Sequence, residues 1–272
     1  MTLVIFRRHL LGPGVVDAPM FSDGFEIFLP FPKHAMTNKS IHRCADCSSR
    51  RTTEWEVLSE PELKLIDEAK RTRVLEPGAI LFRQGDAAEG LYCIKSGLIG
   101  IRRLTPTGDS ALLRLCTNGV TVGYRAFLSK TSHRNSAEAL SSCVVCFIER
   151  SHINRLLEIN TQLGERFLQH CFHELDETEA DYAKSLTLSL KARFLHMLLI
   201  LYERLGYRDK AGNHIVELPI QRVELASLIG VRPESISRLV RSLETEGLVK
   251  FDKRLVRFDD MDAVVREAGA QF

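Results

Sequence analysis

The chain has 272 residues, 44% hydrophobic and 26% charged, and a net charge of only +2. This is ordinary globular composition, long enough for more than one folded unit and too near neutral for a polybasic nucleic-acid coat. No apolar run, "FLHMLLILY" included, reaches the ~18 residues that cross a bilayer, and the first 35 residues lack the basic start and apolar core of an export signal.

Residues 1–41 carry scattered Pro and Gly without a period and read as a disordered extension; Met36 is an alternative start, because every interpretable feature follows it. With no export signal, the seven cysteines read as cytosolic thiols or ligands rather than as a disulfide framework. The segment "IHRCADCSS" places Cys44 and Cys47 in a C-x2-C pair, and two thiolates so spaced can hold one iron–sulfur cluster or metal ion. Cys93, Cys116 and Cys143 fit the bland alternative of small buried apolar residues, and Cys171, on a helix, a structural one.

From about 73 to 150 short alternating segments are punctuated by Pro77-Gly78, Gly85-Asp86, Lys95-Ser96-Gly97 and Thr107-Gly108-Asp109. Turn signals near every ten residues indicate a β-sandwich or jelly roll, so 42–150 reads as a cysteine-bearing loop followed by a β-roll domain. The pattern then turns helical. Over 151–184, Ile153, Leu156, Leu163 and Phe167 suggest a heptad-like dimer seam, which His170, Glu174, Glu177 and Asp181 make polar in its second half. A further helix over 189–205 begins a C-terminal domain spanning 185–272.

Within that domain "PIQRVELASLIGVRPESISRLV" has helix-turn-helix spacing. A first helix runs from about Gln221 to Ile229, Ala226 is small where two helices cross, and Gly230 can take the left-handed backbone of the turn. The second helix opens at Pro233 and buries Ile236, Leu239, Val240 and Leu243, with Ile236 and Leu239 expected to pack on Val223 and Leu228. Its other face carries Glu234, Ser237, Arg238 and Arg241. A lone helix with that face could be merely solvated. As the second helix of such a unit it enters the major groove, where Arg238 can bond guanine, Glu234 cytosine, and Ser237 either base type. Ser235, Arg241 and Gln221 complete the expected DNA-contacting set. "GLVKFDKRLVRF" reads as a β-hairpin wing whose Lys250, Lys253 and Arg254 either meet phosphates or are solvated. Between 220 and 257 eight Lys/Arg face five Asp/Glu, a net of +3, so specificity has to come from positioned contacts.

The order of β-roll, long helix and winged helix-turn-helix resembles the Crp/Fnr superfamily of bacterial transcription regulators. "ILFRQGD....LYCIKSGLI" is similar to its β-roll and "ELASLIGVRPESISRLVRSLETEGLV" to its DNA-reading motif, and the match covers roughly 42–265. The fold class it implies is α+β: a jelly-roll domain of the cyclic-nucleotide-binding type, a dimerisation helix and a winged helix-turn-helix. Glu234, Ser237 and Arg238 resemble the Fnr branch, which implies a TTGAT-type palindrome in double-stranded DNA, a homodimer, RNA polymerase as protein partner and a cytoplasmic location. The resemblance also places Cys146 on a cluster-ligating cysteine, so Cys44, Cys47 and Cys146 are the implied ligands of a 4Fe–4S iron–sulfur cluster that responds to oxygen. The sequence departs from the branch around Thr52 to Trp55, where a further cysteine would stand; Cys93, Cys116 or a non-cysteine ligand are the candidates to replace it. It departs from the nucleotide-binding members as well, because Gly123 is followed by Tyr124 and Arg125 rather than by the acid that grips a ribose, and Arg134-Asn135-Ser136 only partly resembles the phosphate clamp. A thiol–disulfide switch or a small-ligand-sensing β-roll stands as the competing sensor. No nucleophile–base pair, Gly-rich phosphate loop or His/carboxylate metal motif points to an enzyme.

Overall fold

The computed structural model describes residues 43–269 apart from positions 106, 107 and 109. The extension expected over 1–41, Met36 included, lies outside the described residues.

Two 3-10 turns, Ser48–Thr52 and Glu54–Val57, lead into α1 (Glu60–Ala69). A capping box starts that helix, the Glu62 carboxylate accepting from the Ser59 amide at 2.7 Å. The β-roll follows: β1 (Arg71–Leu75), β2 (Ile80–Phe82), β3 (Gly90–Ser96), β4 (Ile99–Leu104), β5 (Ser110–Cys116), β6 (Thr121–Val122), the short α2 (Tyr124–Leu128), β7 (Ser136–Ala139) and β8 (Cys143–Glu149). Two antiparallel four-stranded sheets result, ordered β1-β8-β3-β6 and β2-β7-β4-β5. The strands alternate as a two-faced sheet requires. Tyr92, Ile94, Val145 and Phe147 fill the space between the sheets, together with Ile99, Cys116 and Cys143. Leu91 and Ile148, from the same two strands, point the other way and meet Trp55, Leu63 and Ile66 in a second core. Gly97 is needed at its turn, with φ 94° and no room for a side chain: a Cβ there would lie 2.5 Å from the Cys143 sulfur.

The single helix expected over 151–184 is two, α3 (Arg150–Ile159) and α4 (Thr161–Thr187). Asn160 breaks them. Its backbone is extended, its side-chain oxygen caps α4 by accepting from the Leu163 amide at 3.1 Å, and its amide nitrogen donates to Glu62 at 3.2 Å. The expected dimer seam is also corrected. Ile153, Leu156, Leu163 and Phe167 are each at most 1% exposed, buried against Trp55 and the outer face of β3 and β8 in their own chain.

Beyond α4 come α5 (Leu190–Leu205), β9 (Tyr207–Arg208), β10 (His214–Glu217), α6 (Arg222–Leu228), α7 (Pro233–Thr245), β11 (Val249–Asp252), β12 (Leu255–Phe258) and α8 (Met261–Glu267). Leu195, Leu198, Leu225, Ile236, Val240 and Val256 build their core, and Leu112 of β5 inserts into it. The Leu112 amide donates to the Ser227 hydroxyl at 2.9 Å, and Arg102 of β4 bridges Glu138 and Glu224. Because Asn160 both caps α4 and ties it to α1, Asn160→Ala should cost about 1–2 kcal/mol in urea denaturation; an unchanged midpoint would show that the break is not held by this side chain.

Candidate functional site

The helix-turn-helix is built as its spacing requires. Gln221 caps α6 through a reciprocal bond with Glu224, its amide donating to the carboxylate at 2.8 Å. Ala226 is 1% exposed at the crossing, and Gly230 turns the chain at φ 69°. The Val231 amide then closes the turn by donating to the Ala226 carbonyl at 3.0 Å. Pro233 opens α7, and Ile236, Val240 and Leu243 are at most 1% exposed. Glu234, Arg238 and Arg241 are exposed on the opposite face, with Ser235 and Ser237 half-buried between them. The Ser237 hydroxyl donates to the Pro233 carbonyl at 3.2 Å. Gln221 is exposed at the start of α6. One packing expectation fails: Val223 is 59% exposed, so the inner face of α7 rests instead on Leu225 and Ala226 in the shared core. The wing is a two-stranded hairpin turning at Lys253, which holds φ 52°, and Arg254.

At the other end of the molecule four cysteines line one cavity of about 60 Å³: Cys44 and Cys47 from the loop before α1, Cys93 from β3 and Cys146 from β8. Cys93 and Cys146 stand directly opposite each other in the antiparallel pairing. The surroundings are apolar apart from a few donors placed at the sulfurs. Lys70, its side chain 3% exposed, donates to Cys44 Sγ at 3.1 Å and to Asp67 at 2.5 Å. Thr121 Oγ1 lies 3.7 Å from Cys93 Sγ, and Thr72 Oγ1 3.8 Å from Cys146 Sγ. Burial pushes the Cys44 thiol up to about 12, although the Lys70 ammonium opposes the rise. Burial also raises Cys93 and Cys146. Around Asp67 burial would raise the carboxyl, but the bonds from Lys70 and the Cys44 amide outweigh it and hold it low. Among the described residues no three His, Cys, Asp or Glu side chains are gathered tightly enough to grip a single metal ion. Thiols spread around a chamber suit a multi-iron cluster, held by several cysteines, better than one ion. Cys116 and Cys143 are packing residues, 1% and 0% exposed between the sheets. Cys171, on α4, is half-buried beside the second core and outside the cavity lining.

Residues 72–160 match the model of the cyclic nucleotide-binding domain, and residues 192–266 that of the Crp-like helix-turn-helix domain. The chain belongs to the Crp/Fnr superfamily. It is 26% identical over 237 residues to the fumarate and nitrate reduction regulatory protein of Escherichia coli K12, covering 85% of this chain and 91% of that one. It is 24% identical to the anaerobic regulatory protein of Pasteurella multocida, covering 85% and 84%. Among solved structures it is similar to a Crp-family transcriptional regulator of Thermus thermophilus, at 27% identity and TM-score 0.62, over 73% of this chain and 97% of that one. FixK2 of Bradyrhizobium japonicum shares the fold at TM-score 0.63 and 21% identity, over 75% and 99%. These relatives are transcription regulators, not enzymes.

In the segment that lacks a ribose-gripping acid, Gly123, at φ 95°, caps α2, Tyr124 behind it is 1% exposed and buried in the second core, and Arg125 projects outward towards Glu174. Helix α4 shows a face that sequence reasoning missed. Leu168, Phe172, Leu175, Tyr182 and Leu186 are 52–69% exposed and follow a four-three alternation interrupted at Glu179. Glu174, expected near the seam, instead pairs with Arg114 of β5, and Glu177 sits 3.4 Å from His173 of its own helix. The signal was present in the spacing but was masked by the equally regular inner set. For the DNA-reading unit, Gly230→Val forces a β-branched residue into left-handed backbone and should cost about 1–2 kcal/mol by urea denaturation; no loss would mean that the turn relaxes.

Proposed function

We propose that this chain is a DNA-binding regulator of the anaerobic response, that it reads a TTGAT-type palindrome as a homodimer, and that its sensor is an iron–sulfur cluster held by Cys44, Cys47 and Cys146. The observation that carries the reading is the thiol chamber itself: cysteines from a loop and two strands meet in one buried, largely apolar cavity. The similar protein of Pasteurella multocida is named an anaerobic regulatory protein, and that of Escherichia coli a fumarate and nitrate reduction regulatory protein. When bound, a cluster supplies an oxygen-labile centre whose loss in air is the signal. The protein's own part is to bind that centre, bury it and report its presence.

Binding uses thiolates, so the raised thiols must give up protons as iron enters. Loading should therefore strengthen as pH rises. Lys70 supplies a buried positive charge against the negative set of sulfurs. Reporting runs through Trp55, which walls the chamber and meets Phe167 of α4 edge-on, ring centroids 5.4 Å apart. The Cys44 loop and Trp55 wall the cavity together, so its occupancy would move the turn that carries Trp55. That movement reaches α4 one residue before its outward apolar face begins at Leu168. The occupant of that face is a second copy of this chain, which sets the spacing of the two recognition helices and, in turn, presents RNA polymerase with a docked dimer. No described helix is long and apolar enough to cross a membrane, in keeping with a cytoplasmic regulator.

The deciding experiment is the visible spectrum, iron and sulfide content of anaerobically purified protein, with DNA binding measured before and after air. Iron and sulfide lost together with DNA binding support the reading; iron-free protein that binds DNA equally with and without oxygen overturns it. Arg238→Ala should cost about 1–3 kcal/mol at one base pair and relax specificity there, whereas Arg241→Ala, as a phosphate contact, should weaken all sequences alike and flatten the salt slope by about one. Glu179 places like charges across the seam, so Glu179→Leu should tighten the dimer at least ~10-fold in sedimentation; unchanged dissociation would place the seam elsewhere.

A further inference from the structure

We propose that Cys93 is the fourth thiolate of the chamber, closing a set with Cys44, Cys47 and Cys146. The proposal rests on the cluster reading above and names the ligand that the Fnr-like spacing lacks. A cluster of this class takes four cysteines, and the turn where the resemblance would place another one holds Trp55 instead. Its indole is 4% exposed, and its ring nitrogen donates to Thr121 Oγ1 at 2.9 Å. No sulfur comes from that side.

Strand geometry supplies one from the other side. Cys93 on β3 is the direct antiparallel partner of Cys146 on β8, and side chains paired in this way leave the same face of the sheet. That face is the one turned away from the sandwich interior, towards the loop with Cys44 and Cys47. The remaining cysteines are excluded by position. Cys116 lies between the sheets, Cys143 donates to the Leu98 carbonyl at 3.3 Å within the same core, and Cys171 does not line the cavity. The Thr121 hydroxyl lies 3.7 Å from the Cys93 sulfur. Hydrogen bonds to ligating sulfurs tune and hold such centres. Thr121 accepts from Trp55 as well, so Cys93, Thr121, Trp55 and Phe167 form a continuous contact from the sulfur to α4. A ligand on a core strand would give the loop pair a fixed anchor across the cavity.

The test uses the full chain, reconstituted anaerobically with iron-57 and sulfide, as parent, Cys93→Ala, Cys93→Ser and the control Cys116→Ala. Folding is checked by circular dichroism. The expected result is a parent whose Mössbauer spectrum shows every iron in an all-sulfur environment, Cys93 variants that lose iron and sulfide at least ~10-fold faster, and a control that matches the parent. The parent spectrum keeps the proposal falsifiable even if the variants fold poorly: one iron in an oxygen or nitrogen environment overturns it. So do Cys93 variants that keep the parent's iron, sulfide and spectrum. A parent that binds neither iron nor sulfide, or that loses two hydrogens per disulfide on oxidation by air, fails earlier and takes the cluster reading with it.

Discussion

The indole of Trp55 is packed edge-on against Phe167 of the long helix, ring centroids 5.4 Å apart, while its other flank walls the thiol chamber. Few side chains are large and rigid enough to touch both places, and Trp loses little rotamer entropy in doing so. Its ring nitrogen is satisfied by Thr121, so the indole is positioned by a hydrogen bond as well as by packing. The neighbouring Glu54 is buried too, with one carboxylate oxygen lacking a partner among the described residues and the other 3.9 Å from His170 of the same helix. A short turn therefore meets the helix through one apolar and one polar contact. Whatever shifts the turn shifts both.

The chamber is largely apolar, with Lys70, Thr121 and Thr72 placed beside its sulfurs. An ammonium as deeply buried as Lys70 is costly without partners. Here it has Asp67 and Cys44 at hydrogen-bond distance, and the Asp67 carboxylate also receives the Cys44 amide. The cation, the acid and the loop are thus one unit, and the position of Cys44 is tied to α1 rather than left to a free loop. Burial raises all three thiols, which disfavours the thiolate. The protonated state is the one in which they resist adventitious oxidation, since the thiolate is the reactive form.

The long helix has two apolar faces with different duties. Leu163 and Phe167 turn inward and fasten the helix to its own β-roll, while the set beginning at Leu168 turns outward over the following turns. The inner set ends where Glu174 takes Arg114 of β5. Beyond that pairing the helix leaves the β-roll, and the outward face is what remains to be covered. The winged domain is meanwhile held against β4 and β5 by Arg102 and Leu112, so the β-roll and the helix-turn-helix touch directly as well as through the helix.

Much of this was legible from spacing alone. The turn glycines, the α7 stripe of Ile236, Val240 and Leu243, Gly230 in the turn and the hairpin wing are local features, and local backbone chemistry determines them. The exposed Glu234, Arg238 and Arg241 follow from the same stripe, because a helix that buries one face presents the other. The break at Asn160 was hidden, since one extended residue between two helices leaves no interruption in the apolar period. The two faces of α4 were confused for a related reason: Phe167 and Leu168 are adjacent, and a period cannot say which of two interleaved stripes meets its own chain. The C-x2-C pair of Cys44 and Cys47 was visible from sequence proximity alone. Cys93 and Cys146, 53 positions apart, could meet only through the register of β3 on β8, a long-range pairing that no local pattern encodes. The sequence by itself determined the β-roll turns, the helix-turn-helix and its exposed face, because each depends on neighbours within a few turns of chain. Only the tertiary structure decided which thiols share a cavity and which helix face is left open, because both depend on how distant segments pack.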